Sequence, residues 1–80
     1  MHPIQETYRP QIEELVRAAN RLAEIGFVTS QGGNLSLRAS EDVVLITPTK
    51  VAKIAITCED ICAVDMKGNV LYAREGRKPT

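Results

Sequence analysis

The stretch Leu35-Ser36-Leu37-Arg38-Ala39-Ser40-Glu41-Asp42-Val43-Val44-Leu45-Ile46-Thr47-Pro48 decides the fold. Leu35 and Leu37 alternate with Ser36 and Arg38, the period of two that marks a half-buried strand. Ala39 to Asp42 is a polar turn. Val43 to Ile46 is an unbroken apolar run rich in β-branched residues, which reads as a strand covered on both faces. The connection is short enough to make the two strands an antiparallel hairpin. Thr47-Pro48 stops the second strand, since proline brings no N–H to a ladder.

Upstream, Ile12, Leu15, Val16, Ala19, Leu22 and Ala23 recur at i, i+3, i+4, i+7, i+10 and i+11, one apolar stripe on an amphipathic helix. Pro10 suits its first turn, Thr7 lies just upstream as a cap, and Gly26 is the left-handed stop at its end. Glu13 and Arg17 stand i,i+4 on its flank. Phe27-Val28 lead into a polar loop, Thr29-Ser30-Gln31-Gly32-Gly33-Asn34. Downstream, Val51, Ile54 and Ala55 suggest a short helical turn. Thr57-Cys58-Glu59-Asp60 has the spacing of a capping box with Asp at its last position. Ile61 to Met66 and Val70 to Ala73 read as two further strands joined by Lys67-Gly68-Asn69, where Gly68 can take positive φ. The tail Arg74 to Thr80 reads as polar and unpaired. The order predicts an α+β fold with a mainly antiparallel sheet and an N-terminal amphipathic helix. One helix covers one sheet face, so the second face of the Val43–Ile46 strand needs cover from more chain or from another subunit.

The 80 residues carry 10 Lys+Arg and 10 Asp+Glu, a formal charge of zero, with 44% hydrophobic and 25% charged residues. That length allows one domain at most, and a chain of this size buries only about 60–65% of its unfolded surface, so a lone core is marginal. The neutral balance argues against nucleic acid and acidic membrane surfaces as partners. No apolar run approaches a membrane span, and Met1 to Glu6 lacks the pattern of a secretory signal, so the expected location is the cytoplasm. Cys58 and Cys62 read as reduced, small hydrophobic residues. With His2 the single histidine, no metal-ligand set is expected within the chain.

Three loops offer anion chemistry. Gln31-Gly32-Gly33-Asn34 is either a plain helix-to-strand turn or a curl of bare N–H groups around an anion, with Asn34 adding a side-chain donor. It is not a P-loop, because no Gly-Lys-Ser/Thr follows, and it precedes a strand where the dinucleotide fingerprint opens a helix. Thr47-Pro48-Thr49-Lys50 is a surface turn or a phosphate contact, with hydroxyl donors and the Lys50 charge. Arg77-Lys78-Pro79-Thr80 is a solvated basic tail or a third contact. No nucleophile, base or catalytic triad accompanies them, so no catalytic residue is assigned within the chain.

Taken together and in order, Gly33-Asn34-Leu35-Ser36-Leu37-Arg38, Leu45-Ile46-Thr47-Pro48-Thr49, Asp60-Ile61 with Val64-Asp65-Met66-Lys67-Gly68-Asn69, and Gly76-Arg77-Lys78-Pro79-Thr80 resemble the start of a class II aldolase/adducin domain. The resemblance runs from the first helix to Thr80, so residues 1–80 are expected to be the N-terminal part of a single such domain. It implies an α/β/α layered fold and, often, a cyclic homotetramer with active sites between subunits. It implies that Gly33 and Asn34 hold a substrate phosphate, with Gln31 at the loop's polar position and Thr49 and Thr80 adding hydroxyls. Lys50 stands where the family usually has Gly, at the rim of that site. The implied reaction is reversible C–C cleavage of a phosphorylated sugar through a Zn2+-stabilised enediolate, by an aldolase or epimerase. The catalytic Glu and the zinc-binding histidines would follow Thr80, so the segment alone is expected to be inactive. A non-enzymatic, adducin-like interaction domain and a small anion-binding module are the alternatives.

Overall fold

The computed structural model describes residues 3–26, 35–48, 55–74 and 79. A short helix α1 (Pro3–Thr7) leads into the long helix α2 (Arg9–Glu24), and four strands follow: β1 (Ser36–Arg38), β2 (Val44–Ile46), β3 (Cys62–Val64) and β4 (Val70–Tyr72). A 3₁₀ turn, Cys58–Asp60, precedes β3. The sheet order is β1-β2-β3-β4 and every neighbouring pair is antiparallel. The expected α+β architecture with an antiparallel sheet is therefore present.

The first helix is not read in the sequence, and it displaces the expected cap. Thr7 closes α1, and Tyr8, at φ −109°, takes the N-cap position of α2 without a side-chain cap bond. Pro10 accounts for the break: it has no N–H for the carbonyl one turn back, so a continuous helix would leave that acceptor empty, whereas in a first turn the loss is free. Tyr8 still donates its N–H to the Ile4 carbonyl at 3.1 Å and accepts that of Ile12 at 2.9 Å, so main-chain hydrogen bonding runs through the junction of the two helices. At the other end Ile25 caps α2 and Gly26 takes φ +72°, donating its N–H to Ala23 at 3.2 Å, the left-handed stop the sequence predicts. Glu13 pairs with Arg9 at 3.4 Å, one turn towards the N-terminus, in place of the expected Arg17.

Ile12, Leu15 and Ala19 are the buried stripe of α2. Ile12 and Leu15 meet one sheet face, whose central row follows from the register: Leu37 opposite Leu45, Leu45 opposite Ala63, Ala63 opposite Tyr72. Val43, Ile56 and Ile61 complete this core. Ile12 and Leu45 are fully buried, and each such side chain contributes about 1.5–3 kcal/mol of transfer free energy. Two amides on the helices bind the 3₁₀ turn and the residues before it to this layer: Gln5 Nε2 donates to Cys58 O at 3.2 Å, and Asn20 Nδ2 to Ile56 O at 3.5 Å.

The continuous Val43–Ile46 run is treated unequally by the fold. Val43 and Leu45 point into the core, while Val44 and Ile46, on the reverse face, are half-buried with Val64 beside them. On the same reverse face Val70 is 55% exposed. The strands are also shorter than read. Asp65 and Met66 leave the ladder because the Asp65 carboxylate accepts the N–H groups of Lys67 at 2.8 Å and Asn69 at 2.9 Å, which curls the chain into the turn. Gly68 takes φ +88° there, as expected. The helical turn read from Val51, Ile54 and Ala55 falls mostly outside the described residues; Ala55 is exposed.

Candidate functional site

The register decides which chain ends meet. β1 begins, β2 ends, β3 begins and β4 ends at one end of the sheet, because Ser36 faces Ile46 and Ile46 faces Cys62. The other end carries the two hairpin turns. Leu35, Thr47, Pro48, Ile61, Ala73 and Arg74 thus cluster where the three polar loops leave the sheet.

The expected contacts Gln31, Gly33, Asn34, Thr49, Lys50 and Thr80 lie outside the described residues. Their covalent neighbours do not. Leu35 follows Asn34, Pro48 precedes Thr49, and Pro79 precedes Thr80. Thr47 donates its N–H to the Leu35 carbonyl at 3.0 Å, and its hydroxyl accepts the Leu35 N–H at 3.3 Å. An antiparallel bridge sets Pro48 beside Pro79. The described anchors of all three loops are therefore side by side. The bridge also corrects the expectation of an unpaired tail: Pro79 pairs with the end of β2, and Arg74 is ion-paired.

Arg74 Nη1 donates to Asp60 Oδ1 at 3.2 Å; the aspartate side chain is 4% exposed and the arginine 51%. The second oxygen of Asp60 accepts the N–H of Thr57 at 3.0 Å and its hydroxyl at 3.1 Å. The shorter Asp thus performs the reciprocal half of a capping box, as the spacing predicts. Sequence reading assigns Asp60 this local role and misses its long-range one, because nothing in the spacing of residues 60 and 74 announces that they meet.

Other residues of the quoted motifs sit away from this cluster. Arg38 reaches the hairpin turn at the opposite end, donating to the carbonyls of Ser40 at 3.3 Å and Glu41 at 2.9 Å, which gives it a structural task. Asp65 is also at that far end. The side-chain amide of Asn69, then the Asn69 N–H, then those of Lys67 and Gly68, hold its carboxyl below the usual value of 3.8. Cys58 is half-buried, and Cys62 is buried with its thiol donating to the Asp60 carbonyl at 3.7 Å. Among the described residues no three His, Cys, Asp or Glu side chains stand together as metal ligands, and no helix is long and apolar enough to cross a membrane.

Comparison with known proteins follows the same outline. The family model described as the class II aldolase and adducin N-terminal domain matches residues 13–80. L-fuculose phosphate aldolase of Methanococcus maripaludis is 33% identical over 63 residues, which is 79% of this chain and 34% of the relative. 3-oxo-tetronate 4-phosphate decarboxylase of Haemophilus influenzae is 34% identical over 70 residues, 88% of this chain and 32% of the relative. The crystal structure of YgbL from Escherichia coli superposes with a TM-score of 0.83 at 27% identity, covering 92% of this chain and 34% of YgbL. The chain spans about a third of the length of the curated relatives it matches.

Proposed function

The chain belongs to the class II aldolase and adducin N-terminal domain family, and on that premise we propose that it supplies the phosphate-holding part of an enzyme that breaks or re-forms a C–C bond in a phosphorylated sugar. The observation that carries this reading is the meeting of Leu35, Thr47, Pro48 and Pro79 at one end of the sheet. Asn34, Thr49 and Thr80 are each the covalent neighbour of a residue in that cluster. Backbone N–H groups at Gly33 and Asn34, the Asn34 amide and the hydroxyls of Thr49 and Thr80 are the donor types an anion needs, with Gln31 beside them. Lys50 adds charge at the rim. The chemistries of two relatives, an aldolase and a decarboxylase of phosphorylated sugar derivatives, share the cleavage of a C–C bond with a phosphate at a distance from it.

In this reading the segment binds and orients. The phosphate anchor converts remote binding energy into alignment of the bond to be cleaved, without taking part in the electron flow. The reading includes Zn2+ as cofactor of the whole protein. The described residues do not offer a ligand set for it, and none of the roles above passes through it. It further includes a homotetramer; the half-buried Val44, Ile46 and Val64 and the exposed Val70 on the reverse face of the sheet are a surface that more of the chain or another subunit would cover.

The test is phosphate binding by the whole protein. Inorganic phosphate and L-fuculose 1-phosphate, titrated calorimetrically at constant ionic strength, should bind. Asn34→Ala should weaken both by about 1.5–3 kcal/mol, the scale of a charge-assisted hydrogen bond. Indifference of the wild-type protein to millimolar phosphate would refute the reading and leave the interaction-domain alternative.

A further inference from the structure

Helix α1 is seated differently from α2. Of its five residues Gln5 alone is buried, while Pro3, Glu6 and Thr7 are exposed and Ile4 is half-buried against the core. Where α2 rests on Ile12 and Leu15, α1 is therefore anchored by an amide. Gln5 Nε2 donates to the Cys58 carbonyl at 3.2 Å and the Ile61 carbonyl at 3.5 Å, on either side of Asp60. Those two acceptors take the nitrogen end of the amide. The oxygen end, Oε1, is buried and has no hydrogen-bond partner among the described residues. An apolar anchor gains transfer free energy on burial. An amide anchor only exchanges water bonds for protein bonds, with a small net gain, and an unmet buried acceptor counts against that gain. The chain behind α1 supplies a pivot. Tyr8 breaks the helix ahead of Pro10, and its hydroxyl is tied to Ser40 Oγ at 3.3 Å, so the pivot is held by the hairpin turn when α1 is not. Residues 3–7 also stand ahead of the 13–80 stretch that the family model matches.

We propose that α1 is a detachable strap across the Cys58–Asp60 turn: seated, its Gln5 amide locks the turn and the Asp60–Arg74 pair behind it; released, it leaves α2 and the sheet folded and loosens the end of β4. The turn is where the two meet. From one side Gln5 holds the carbonyls of Cys58 and Ile61. From the other, Arg74 reaches Asp60 Oδ1 at 3.2 Å and the Tyr72 hydroxyl donates to the Glu59 carbonyl at 3.4 Å. On release Gln5 Oε1 gains water, which offsets part of the two bonds that Nε2 gives up. Opening of this kind, below the free energy of global unfolding, is how folded chains expose single elements. Linkage makes the effect reciprocal, so whatever keeps Arg74 on Asp60 also favours the seated helix. The device stands apart from the phosphate reading, because none of its residues lies in those loops.

Two native thiols report the strap. Cys58 is half-buried on the turn that Gln5 holds, and Cys62 is fully buried in β3. The experiment measures the rate at which a thiol reagent modifies each, resolved by peptide mass spectrometry, in the whole protein and at urea concentrations below the unfolding transition. Gln5→Ala should speed Cys58 by about tenfold, the equivalent of one net hydrogen bond. That faster rate should stay nearly flat with urea, because release of one short helix exposes little surface, whereas the Cys62 rate should climb steeply with urea. Arg74→Gln, which does not touch Gln5, should speed Cys58 by about fivefold, the low end of coupling between separate sites. Parallel urea dependence of the two cysteines in Gln5→Ala means that only global unfolding exposes them, and overturns the strap. An unchanged Cys58 rate in Gln5→Ala, or a Gln5→Ala protein that fails to fold, overturns it as well, the second because α1 is then an integral part of the fold. An unchanged Cys58 rate in Arg74→Gln overturns the lock on the Asp60–Arg74 pair.

Discussion

Removing one charge from Asp60 tests how the end of the sheet is held together. Among the described residues its carboxylate meets three donors: the Thr57 N–H and hydroxyl on Oδ2, and Arg74 Nη1 on Oδ1. An asparagine at this position has the same shape but only one acceptor oxygen. Turned towards Thr57, its oxygen keeps both of those bonds and sets an NH2 group against the guanidinium. Arg74 is half-exposed and can turn to water, so Asp60→Asn loses one charge-assisted bond, discounted for solvent, at a cost of about 1–2 kcal/mol. Asp60→Ala also abandons the reciprocal cap on Thr57, worth about another 1 kcal/mol, for a total of about 2–3 kcal/mol. Urea denaturation of the whole protein, with Arg74→Gln and the double variant Asp60→Asn/Arg74→Gln alongside, reads both the costs and the coupling. A coupling of about 1 kcal/mol is expected for residues that share a bond. If Asp60→Asn and Arg74→Gln are additive, the buried carboxylate does not hold Arg74 and the account of how the tail is tethered is wrong.

Leu45→Ala empties the fully buried centre of the cross-strand row and should cost about 2–5 kcal/mol in the same urea assay; a cost under 1 kcal/mol would mean the helix layer does not rest there. Asp65 has a folded-state pKa below its ordinary 3.8, so its contribution to stability is present above that value and is lost as pH falls through the lower, folded value. The stability difference between wild type and Asp65→Ala should therefore be flat at neutral pH and shrink below the ordinary carboxylate range; a difference that grows on acidification would contradict the turn geometry. Lys50→Ala should weaken phosphate binding less than Asn34→Ala, and its effect should fade with added salt as expected of a solvated charge; a salt-independent loss would place the ammonium inside the site.

The periods of the chain announce its elements because each period is a local consequence of backbone geometry. Ile12, Leu15 and Ala19 at helical spacing, Leu35 and Leu37 in alternation, Gly26 and Gly68 at positive φ, and the Thr57–Asp60 box all require information from within a few residues. The motifs around Gly33-Asn34, Thr47-Pro48-Thr49 and Lys78-Pro79-Thr80 were legible for the same reason, as short runs whose donors suit an anion. The break between α1 and α2 was legible in principle, since Pro10 removes a single donor, but Thr7 offered a competing cap and the sequence does not say which wins.

Only the tertiary structure decided what meets across distance. The run Val43–Ile46 reads alike on both faces, and it was packing against α2 that made Leu45 core and left Val44 and Ile46 half-buried. The ion pair of Asp60 with Arg74, the bridge of Pro48 with Pro79 and the bond of the Leu35 N–H to the Thr47 hydroxyl join residues that are 12 or more apart in the chain. No propensity encodes such pairs, because their free energy exists only once the antiparallel register has brought strand ends to the same edge.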